Sequence, residues 1–287
     1  MRKVAFVTDS TCNMPEDLLQ KHRIRTVPVY VIFGGQSYRD YFDMPPAMFY
    51  QQLAEYKAAG KGMPTTSQPT PEDFRVVYEE LAKQGYTDVL SVHLTSKSSG
   101  TYQSAVLAAS MVSTIKVHTV DTMTTSMAMG FMLLEAIEVI GKGGSLEDAI
   151  AKIERMKAHS SLIFTVTDVE HLVASGRTEG SEKATDAVIA VKPIVSVIGG
   201  APKAVGTERT QGAALQKVLD LTREQMAGAK LTHLAIVNGN IADRAMKWSP
   251  EAASALGFTG QIPVVDFGPA LAVHFGPGLL GVAAIWE

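Results

Sequence analysis

Two hydroxyl-rich segments of the sequence combine residue types that can bind an anion. The first, Thr65–Thr70, reads TTSQPT and comes directly before a predicted helix. The second, Thr95–Thr101, reads TSKSSGT and lies between a predicted strand and another predicted helix. Free backbone N–H groups and the helix dipole attract anions to a helix start. The segments therefore predict a carboxylate or phosphate site, and simple capping of the two helices explains the same residues equally well.

Acidic and hydroxyl residues also end three predicted strands, at Thr8–Thr11, Asp121-Thr122 and Thr167-Asp168. Ligands of open α/β sheets bind beyond the carboxyl ends of the strands, so these residues could face a site. The simpler interpretation, in which hydroxyls such as Thr122 cap the following helices, is favoured.

Several motifs of other chemistries are missing or misplaced. The sequence has no GxxxxGK[ST] loop for ATP phosphates and no GxSxG elbow of a serine hydrolase. Gly276–Gly281 matches GxGxxG but leads into a predicted strand instead of a helix. The seven histidines form no HxH or HxxxH pair, and Cys12 is the single cysteine. We therefore expect no metal site and no cofactor, and we interpret Cys12 as a packing residue.

Composition narrows the class of protein. A chain of 287 residues favours two domains, and a net charge of −3 without a basic run argues against nucleic acid as a partner. One cysteine and the lack of a signal-peptide pattern predict a cytoplasmic protein. The most apolar helical stretch, Met123–Ile140, contains two glutamates and is too short to cross a bilayer, so no stable membrane insertion is expected.

Strand and helix patterns alternate over the first part of the chain. The predicted strands are Val4–Thr8, Thr26–Phe33, Val89–Leu94, Val117–Val120 and Leu162–Val166. The predicted helices are Glu16–Lys21, Pro46–Tyr56, Pro71–Gln84, Tyr102–Val112, Ser126–Gly141 and Ser145–His159. Near-continuous apolar strands that alternate with helices indicate βαβ units and a mostly parallel sheet.

The second part of the chain has a different pattern. A hairpin is predicted from Pro193–Ile198 and Pro202–Thr207 with a Gly199-Gly200 turn. The further predicted elements are helix Gln211–Met226, strand Leu234–Asn238, helix Ile241–Leu256, strand Pro263–Asp266 and strand Val282–Trp286. We place a domain boundary near residue 160, which gives an N-terminal α/β domain of residues 1–160 and a C-terminal α/β domain of residues 161–287.

Seven segments in a fixed order reach from one end of the chain to the other. They are VTDSTCNMPEDLL, TTSQPT, SSGTYQSA, VDTMTTSMAMG, LVASGRT, VKPIVSV and FGPALAVHFGPGLLG. Together they resemble the DegV family of bacterial fatty-acid-binding proteins, which includes the lipid-binding subunit of fatty acid kinase. Ser98 and Thr178 replace the more usual Leu and Ile of the family pattern and make the rim of the expected site more polar.

The resemblance implies a two-domain α/β fold of the DegV kind, with a mostly parallel N-terminal sheet, a smaller C-terminal domain and one long-chain fatty acid between them. It implies that Thr66 and Ser99 bind the carboxylate, with Ser96 near enough to share that role. His274 would complete the polar head from the second domain, and Arg177 would lie near the mouth. The implied partner is the ATP-binding subunit of a fatty acid kinase, so the protein would present its ligand without being a catalyst itself.

Two other functions stay open at this point. An acyl hydrolase or transferase would use Ser96 or Ser99 as nucleophile and His274 as base. A lipid-sensing regulator would bind the same ligand without a kinase partner. Four methionines between Met123 and Met132 suit an adaptable apolar pocket, although ordinary core packing is the favoured interpretation.

Overall fold

The structure, a computed structural model, describes residues 3–180 and 191–287. The strands are β1 (Val4–Asp9), β2 (Ile24–Val27), β3 (Tyr30–Phe33), β4 (Gln36–Arg39), β5 (Thr65–Ser67), β6 (Asp88–His93), β7 (Lys116–Asp121), β8 (Ser160–Thr165), β9 (Lys192–Ile198), β10 (Ala201–Glu208), β11 (Leu231–Asn238), β12 (Val264–Asp266) and β13 (Leu280–Trp286). The helices are α1 (Glu16–Lys21), α2 (Pro46–Ala58), α3 (Pro71–Lys83), α4 (Thr101–Met111), α5 (Ser126–Gly141), α6 (Leu146–Lys157), α7 (Val169–Ser175), α8 (Gln211–Met226), α9 (Ala242–Leu256) and α10 (Gly268–Phe275).

A parallel sheet with the order β2-β1-β6-β7 forms the first layer. All six residues of β6 are buried, as expected for a central strand with helices on both faces. The chain leaves β1 towards β2 on one side and later returns to β6 on the other. The carboxyl ends of β1 and β6 therefore meet at a topological switch point, where open α/β sheets bind their ligands.

The predicted strand Thr26–Phe33 is wrong, because the segment forms two strands in two different sheets. β2 ends at Val27 and β3 begins at Tyr30. Pro28 between them lacks the N–H that would continue the hydrogen-bond ladder. β3 pairs antiparallel with β4 and β5, which makes a small sheet of order β4-β3-β5 that the sequence patterns did not predict. This small sheet carries the TTSQPT segment.

A six-stranded sheet of order β10-β9-β8-β13-β11-β12 follows. Its strands pair antiparallel except for the parallel pair β11–β12. The predicted hairpin is confirmed as β9–β10, and both glycines of its turn have positive φ, 59° and 87°. The strands before residue 158 belong to the first two sheets, and those from Ser160 onwards belong to this one. The division into two domains near residue 160 stays a prediction.

Helix α10 and the short α7 were not predicted. All eight residues of α10 are buried, so its sequence shows no amphipathic period from which a helix could be inferred. Two aspartates accept its first N–H groups: the nearby Asp266 Oδ1 accepts from Gly268 at 2.8 Å, and the distant Asp40 Oδ1 accepts from Ala270 at 3.2 Å. No helix within residues 3–180 and 191–287 is long and apolar enough to cross a membrane.

One hydrophobic cluster connects the two large sheets. It contains Leu90 of β6, Phe164 of β8 and the fully buried methionines of α5, which are Met127, Met129 and Met132. These methionines pack as ordinary core residues, which is the interpretation favoured from the sequence. Their flexible thioether side chains also make this part of the core easier to rearrange than one of branched residues.

Candidate functional site

Two residues of the predicted site, Thr66 and His274, lie in direct contact. Thr66 is the middle residue of β5, and its Oγ1 is 2.9 Å from Nε2 of His274. His274 lies in the last turn of α10 and is buried, whereas Thr66 is half-buried. The contact joins the small three-stranded sheet to the helix that precedes β13.

The ring nitrogen of His274 that carries the hydrogen determines whether the hydroxyl hydrogen of Thr66 is free for another partner. Nδ1 of His274 is buried and has no hydrogen-bond partner among the described residues. A buried N–H without an acceptor is harder to tolerate than an unused lone pair. The neutral ring therefore carries its hydrogen on Nε2, and this N–H donates a hydrogen bond to Thr66 Oγ1. The hydroxyl hydrogen of Thr66 is then available for an anion.

Burial keeps His274 uncharged. Desolvation, with the nearby positive charge of Arg177 and His171 as smaller causes, lowers the pKa of His274 to about 3. Arg177 is exposed on one side, and its partial burial lowers the pKa of its guanidinium, which still remains protonated at neutral pH. The neighbourhood of His274 thus carries one fixed positive charge, from Arg177.

A cavity of about 190 Å³ opens beside Thr66 and His274, and we name it the polar cavity. Its polar wall includes Ser99, Gln68 and Arg177. Ser99 precedes α4, where its Oγ accepts a hydrogen bond of 3.3 Å from the Thr101 N–H. Ser99 Oγ also lies 2.9 Å from Thr101 Oγ1, and either oxygen can be the donor, so Ser99 can donate into the cavity when Thr101 supplies the hydrogen of that bond. The N-cap residue of α4, Gly100, makes no side-chain cap hydrogen bond, and the helix start attracts an anion.

A glycine brings the two hydroxyl-rich segments together. A Cβ atom on Gly100, which precedes α4, would overlap the end of the Gln68 side chain. Gln68 in turn donates a hydrogen bond of 3.4 Å to Ser104 Oγ on α4. The segment after β5 can therefore lie directly against the start of α4, and this contact places Thr66 and Ser99 on one cavity.

Ser96 is placed differently from the other four predicted residues. It lies in the loop after β6, where its backbone N–H donates to Asp121 Oδ2 at 3.2 Å. Ser96 is not among the described residues that line the polar cavity or the second cavity next to it. The geometry thus brings Thr66, Ser99, Arg177 and His274 together without Ser96.

A second cavity, the apolar cavity, adjoins the first. Its wall is mostly hydrophobic and includes Leu162, Phe164, Val197 and Phe275. Four residues line both cavities, namely Leu94, Arg177, Leu271 and His274. The apolar cavity measures about 40 Å³, which is room for only a few water molecules. The two adjoining cavities therefore form one polar end and one apolar end.

Other titratable side chains nearby serve the fold. His93 is fully buried between Asp9 Oδ2 at 3.1 Å and Ser91 Oγ at 2.7 Å, and these contacts give it a structural role. Burial, with the charge of Asp9 as a smaller cause, raises the pKa of the Cys12 thiol to about 12. Cys12 is therefore an unreactive packing residue. The described part of the chain holds no group of three or more His, Cys, Asp or Glu residues that could bind a metal ion.

Residues 3–287 match the sequence profile of a family described as uncharacterised proteins of the DegV family. The chain belongs to the DegV family. Protein DegV of Bacillus subtilis is 32% identical over 285 residues, an alignment that covers 97% of this chain and 98% of that protein. The resemblance carried by the seven sequence segments is thereby confirmed.

Solved structures of DegV family proteins have the same fold. A fatty-acid-binding member from Thermus thermophilus is 34% identical and superposes with a TM-score of 0.88, covering 100% of both chains. A stearic-acid-binding protein from Eubacterium ventriosum is 26% identical with a TM-score of 0.90, covering 100% of this chain and 98% of that one. The predicted mixed α/β fold with a parallel sheet and a further sheet is confirmed. Fatty-acid binding is a property of members of this family.

The sequence patterns missed the apolar part of the site in this DegV family member. Leu162, Phe164 and Phe275 belong to the same hydrophobic cluster as the surrounding core residues. A side chain that lines a narrow apolar cavity has the same composition and period as one that packs in the core, so no local signal distinguishes them. Gln68 was also missed as a wall residue, although it lies within the quoted TTSQPT segment.

Proposed function

We propose that this DegV family protein binds one long-chain fatty acid, such as palmitate, with its carboxylate in the polar cavity and its acyl chain in the apolar cavity. The protein then presents the carboxylate to the ATP-binding subunit of a fatty acid kinase in the cytoplasm. The observation that carries the proposal is the junction of the two cavities, whose shared wall includes His274 and Arg177.

The donors of the polar cavity support a carboxylate as its ligand. The hydroxyl hydrogen of Thr66 is free to donate, and that of Ser99 is free when Thr101 is the donor of the bond between them. Arg177 supplies a positive charge. Hydrogen bonds to a charged acceptor contribute about 1.5–3 kcal/mol each. Neutral His274 adds no charge but fixes the orientation of the Thr66 hydroxyl, because its Nε2–H donates a hydrogen bond to Thr66 Oγ1.

Most of the binding free energy would come from the acyl chain. About a dozen buried methylenes contribute roughly 10 kcal/mol before the cost of association is subtracted. The apolar cavity has room for only a few water molecules, so the acyl chain must displace side chains as it enters. The adjoining cluster of methionines, with Met127, Met129 and Met132, provides flexible side chains for that rearrangement.

The presenting role follows from what the chain lacks and what it exposes. The sequence has no phosphate-binding P-loop, and the proposal assigns the binding of ATP to a separate kinase subunit. In the proposed reaction a carboxylate oxygen attacks the γ-phosphorus of ATP, the bond to the bridging oxygen breaks, and ADP leaves with an acyl phosphate as the product. Arg177, at the exposed side of the polar cavity, is placed to attract the anionic reactants.

The geometry is less favourable for a serine hydrolase, whereas it does not distinguish a lipid-sensing regulator from the proposed function. A serine hydrolase needs a serine hydroxyl within hydrogen-bond reach of the histidine base. The hydroxyl at that distance from His274 belongs to Thr66, which is 2.9 Å away, while Ser99 Oγ bonds Thr101. A lipid-sensing regulator would use the same two cavities, and it differs from the proposed function only in having no kinase partner.

Mass spectrometry of the purified protein and its solvent extract tests the proposal. We expect one acyl species of about sixteen to eighteen carbons per protein chain. The protein alone should neither bind nor hydrolyse ATP, and addition of an ATP-dependent fatty acid kinase subunit should convert the bound acid to its acyl phosphate. An extract without acyl species, together with no binding of added palmitate or oleate, would refute fatty-acid binding. Normal binding without phosphorylation by any such kinase would favour the regulator.

A further inference from the structure

Asp40 lies directly behind the wall of the polar cavity. It follows β4 and is fully buried. Its backbone N–H donates to the Val29 carbonyl at 2.8 Å, and its Oδ1 accepts from the Ala270 N–H at 3.2 Å. Val29 and Ala270 both line the polar cavity. Asp40 therefore connects the chain before β3 with the first turn of α10, two parts of the wall that are far apart in the sequence.

The start of α10 depends on acceptors from outside the helix. Its N-cap residue, Phe267, has no polar side chain, so Asp266 and Asp40 accept the first N–H groups instead. Ala270, whose N–H binds Asp40, comes one helical turn before His274 on the same face of the helix. A shift of the helix start would therefore move the His274 ring within the fatty-acid site.

The buried carboxyl group of Asp40 has no positive charge to balance it. Among the residues that the structure describes, none of the lysines, arginines or histidines forms an ion pair with Asp40, and its Oδ2 has no hydrogen-bond partner. The titratable and charged groups on the neighbouring elements are Asp9 at the end of β1, Tyr41 in the same turn, Asp266 before α10, and Arg39, which pairs with Asp43. Burial is the main cause that raises the pKa of Asp40 to about 7, and the charge of Asp9 adds to it. Both protonation states of Asp40 are therefore populated at neutral pH.

A carboxylate in the polar cavity and an ionised Asp40 would face each other across the wall residues Val29 and Ala270. Like charges repel, and burial of Asp40 leaves this repulsion poorly screened by solvent. Protonation of Asp40 removes the repulsion. Oδ1 can still accept from the Ala270 N–H, Oδ2 is free to carry the hydrogen, and the hydroxyl of Ser10, which interacts with this carboxyl group, can accept it. Proton uptake therefore leaves the start of α10 in place.

We propose that Asp40 is a positioning residue of the fatty-acid site and takes up a proton when a carboxylate enters the polar cavity. The inference rests on the proposed function, because it needs the carboxylate in that cavity. Neutral Asp40 holds the start of α10, and with it the contact between His274 and Thr66, without opposing the charge of the ligand. Because the ligand favours the protonated form, fatty-acid affinity is highest below neutral pH and falls as the pH rises through about 7.

Isothermal titration with dodecanoate, kept below its micelle concentration, at about pH 6 and about pH 8.5 tests the proton uptake. The dissociation constant of the wild type should rise about three- to tenfold between the two pH values, and its binding heat should depend on the ionisation enthalpy of the buffer. Asp40→Asn keeps the acceptor for the Ala270 N–H and has no proton to take up, so it should lose both effects. Asp17→Asn, at an exposed acid on α1 outside the described wall, should keep both. Any other titrating group contributes equally to wild type and Asp40→Asn.

Asp40→Ala tests the positioning role. It removes the acceptor of the Ala270 N–H and should weaken dodecanoate binding about tenfold or more at both pH values, whereas Asp40→Asn should bind at pH 8.5 at least as tightly as wild type. The same pH dependence in Asp40→Asn and wild type, or equal affinities of Asp40→Ala and Asp40→Asn, would overturn the inference and leave the proposed function standing. No binding of dodecanoate or palmitate by the wild type at either pH would refute the proposed function and the inference with it.

Discussion

Thr66 and His274 share a hydrogen bond of 2.9 Å although 208 residues separate them in the chain. Thr66 belongs to the small antiparallel sheet, and His274 to the buried helix α10. The bond holds the Thr66 hydroxyl in one orientation at the edge of the polar cavity. The two residues therefore have separable roles, one as donor to the carboxylate and the other as the group that orients it.

Replacing Thr66 by valine should weaken palmitate binding by about ten- to a hundredfold. The variant keeps the shape of the side chain and loses one hydrogen bond to a charged acceptor, which contributes about 1.5–3 kcal/mol. Thr65→Val is the matched control, because successive strand residues point to opposite faces and Thr65 does not line the polar cavity. Isothermal titration with a soluble fatty acid measures both. Equal affinity of the two variants would contradict the assignment of Thr66.

Ser99→Ala and Ser96→Ala should differ in their effect on binding. Ser99 lines the polar cavity and should show the same ten- to hundredfold loss as Thr66, whereas Ser96 is outside its described wall and should show none. The same titration measures the dissociation constants. A loss of affinity confined to Ser96→Ala would move the carboxylate towards the loop after β6 and refute the placement proposed here.

His274→Ala should reduce kinase-coupled turnover by a larger factor than it reduces affinity. Phosphoryl transfer requires the attacking oxygen in line with the incoming phosphorus, whereas binding depends mainly on the acyl chain. A coupled assay with an ATP-dependent fatty acid kinase subunit, run beside titration calorimetry, separates the two quantities. His159→Ala, at an exposed histidine, is the control. Turnover of His274→Ala at the wild-type level would show that His274 does not position the carboxylate.

Asp40→Asn should change how stability depends on pH. Burial raises the pKa of Asp40 to about 7 in the folded protein, above its ordinary value near 4. The folded state then binds the proton more tightly than the unfolded state. The contribution of Asp40 to the free energy of unfolding is therefore stabilising and fully present below about pH 4, and it is lost as the pH rises through about 7. Relative to wild type, the variant should gain free energy of unfolding over this range, by at most about 4 kcal/mol.

Denaturant unfolding at about pH 5 and about pH 8 checks the Asp40 prediction. The asparagine can keep the hydrogen bond that Asp40 Oδ1 accepts from the Ala270 N–H, so helix α10 should remain in place. The comparison with wild type at each pH is essential, because His274 titrates in the opposite sense: its lowered pKa makes wild-type stability fall as the pH drops below about 6.5. A stability difference independent of pH would mean that Asp40 ionises normally.

Gly281→Ala should destabilise the protein by about 3 kcal/mol or more. A Cβ atom on Gly281 would overlap the backbone of Ile163 and Phe164 in the neighbouring strand β8, and backbone atoms cannot swing aside as a side chain can. Gly141→Ala, at the exposed end of α5 with open space around the new methyl group, should be neutral or stabilising by about 0.5–1 kcal/mol. Thermal unfolding of both variants provides the comparison, and similar midpoints would contradict it.

The sequence was most informative where local patterns decide structure. Helices α1 and α5 have the predicted limits, because apolar periodicity and terminal residues mark both ends. The break at Pro28 was readable in principle, since proline interrupts a strand, but the apolar run on both sides concealed it. Helix α10 could not be predicted from the sequence, because a helix buried on all sides has no polar face.

The candidate site, like the fold, was predictable from the sequence only in part. Hydroxyls beside helix starts pointed to the segments of Thr66 and Ser99 from residue chemistry alone. Their meeting with Arg177 and His274 was implied only by the family resemblance, because no local rule pairs residues that are so far apart in the chain.

Strand β13 lies between β8 and β11 in the six-stranded sheet, although more than a hundred residues separate it from β8. Contacts over such separations form slowly in folding, because the entropy of closing a long loop is lost before the contact gains anything. We therefore predict that the centre of this sheet, and with it the bond between Thr66 and His274, forms late on the folding pathway. Recovery of fatty-acid binding during refolding should lag behind the recovery of helical signal, which makes the ligand a kinetic probe of the last folding step.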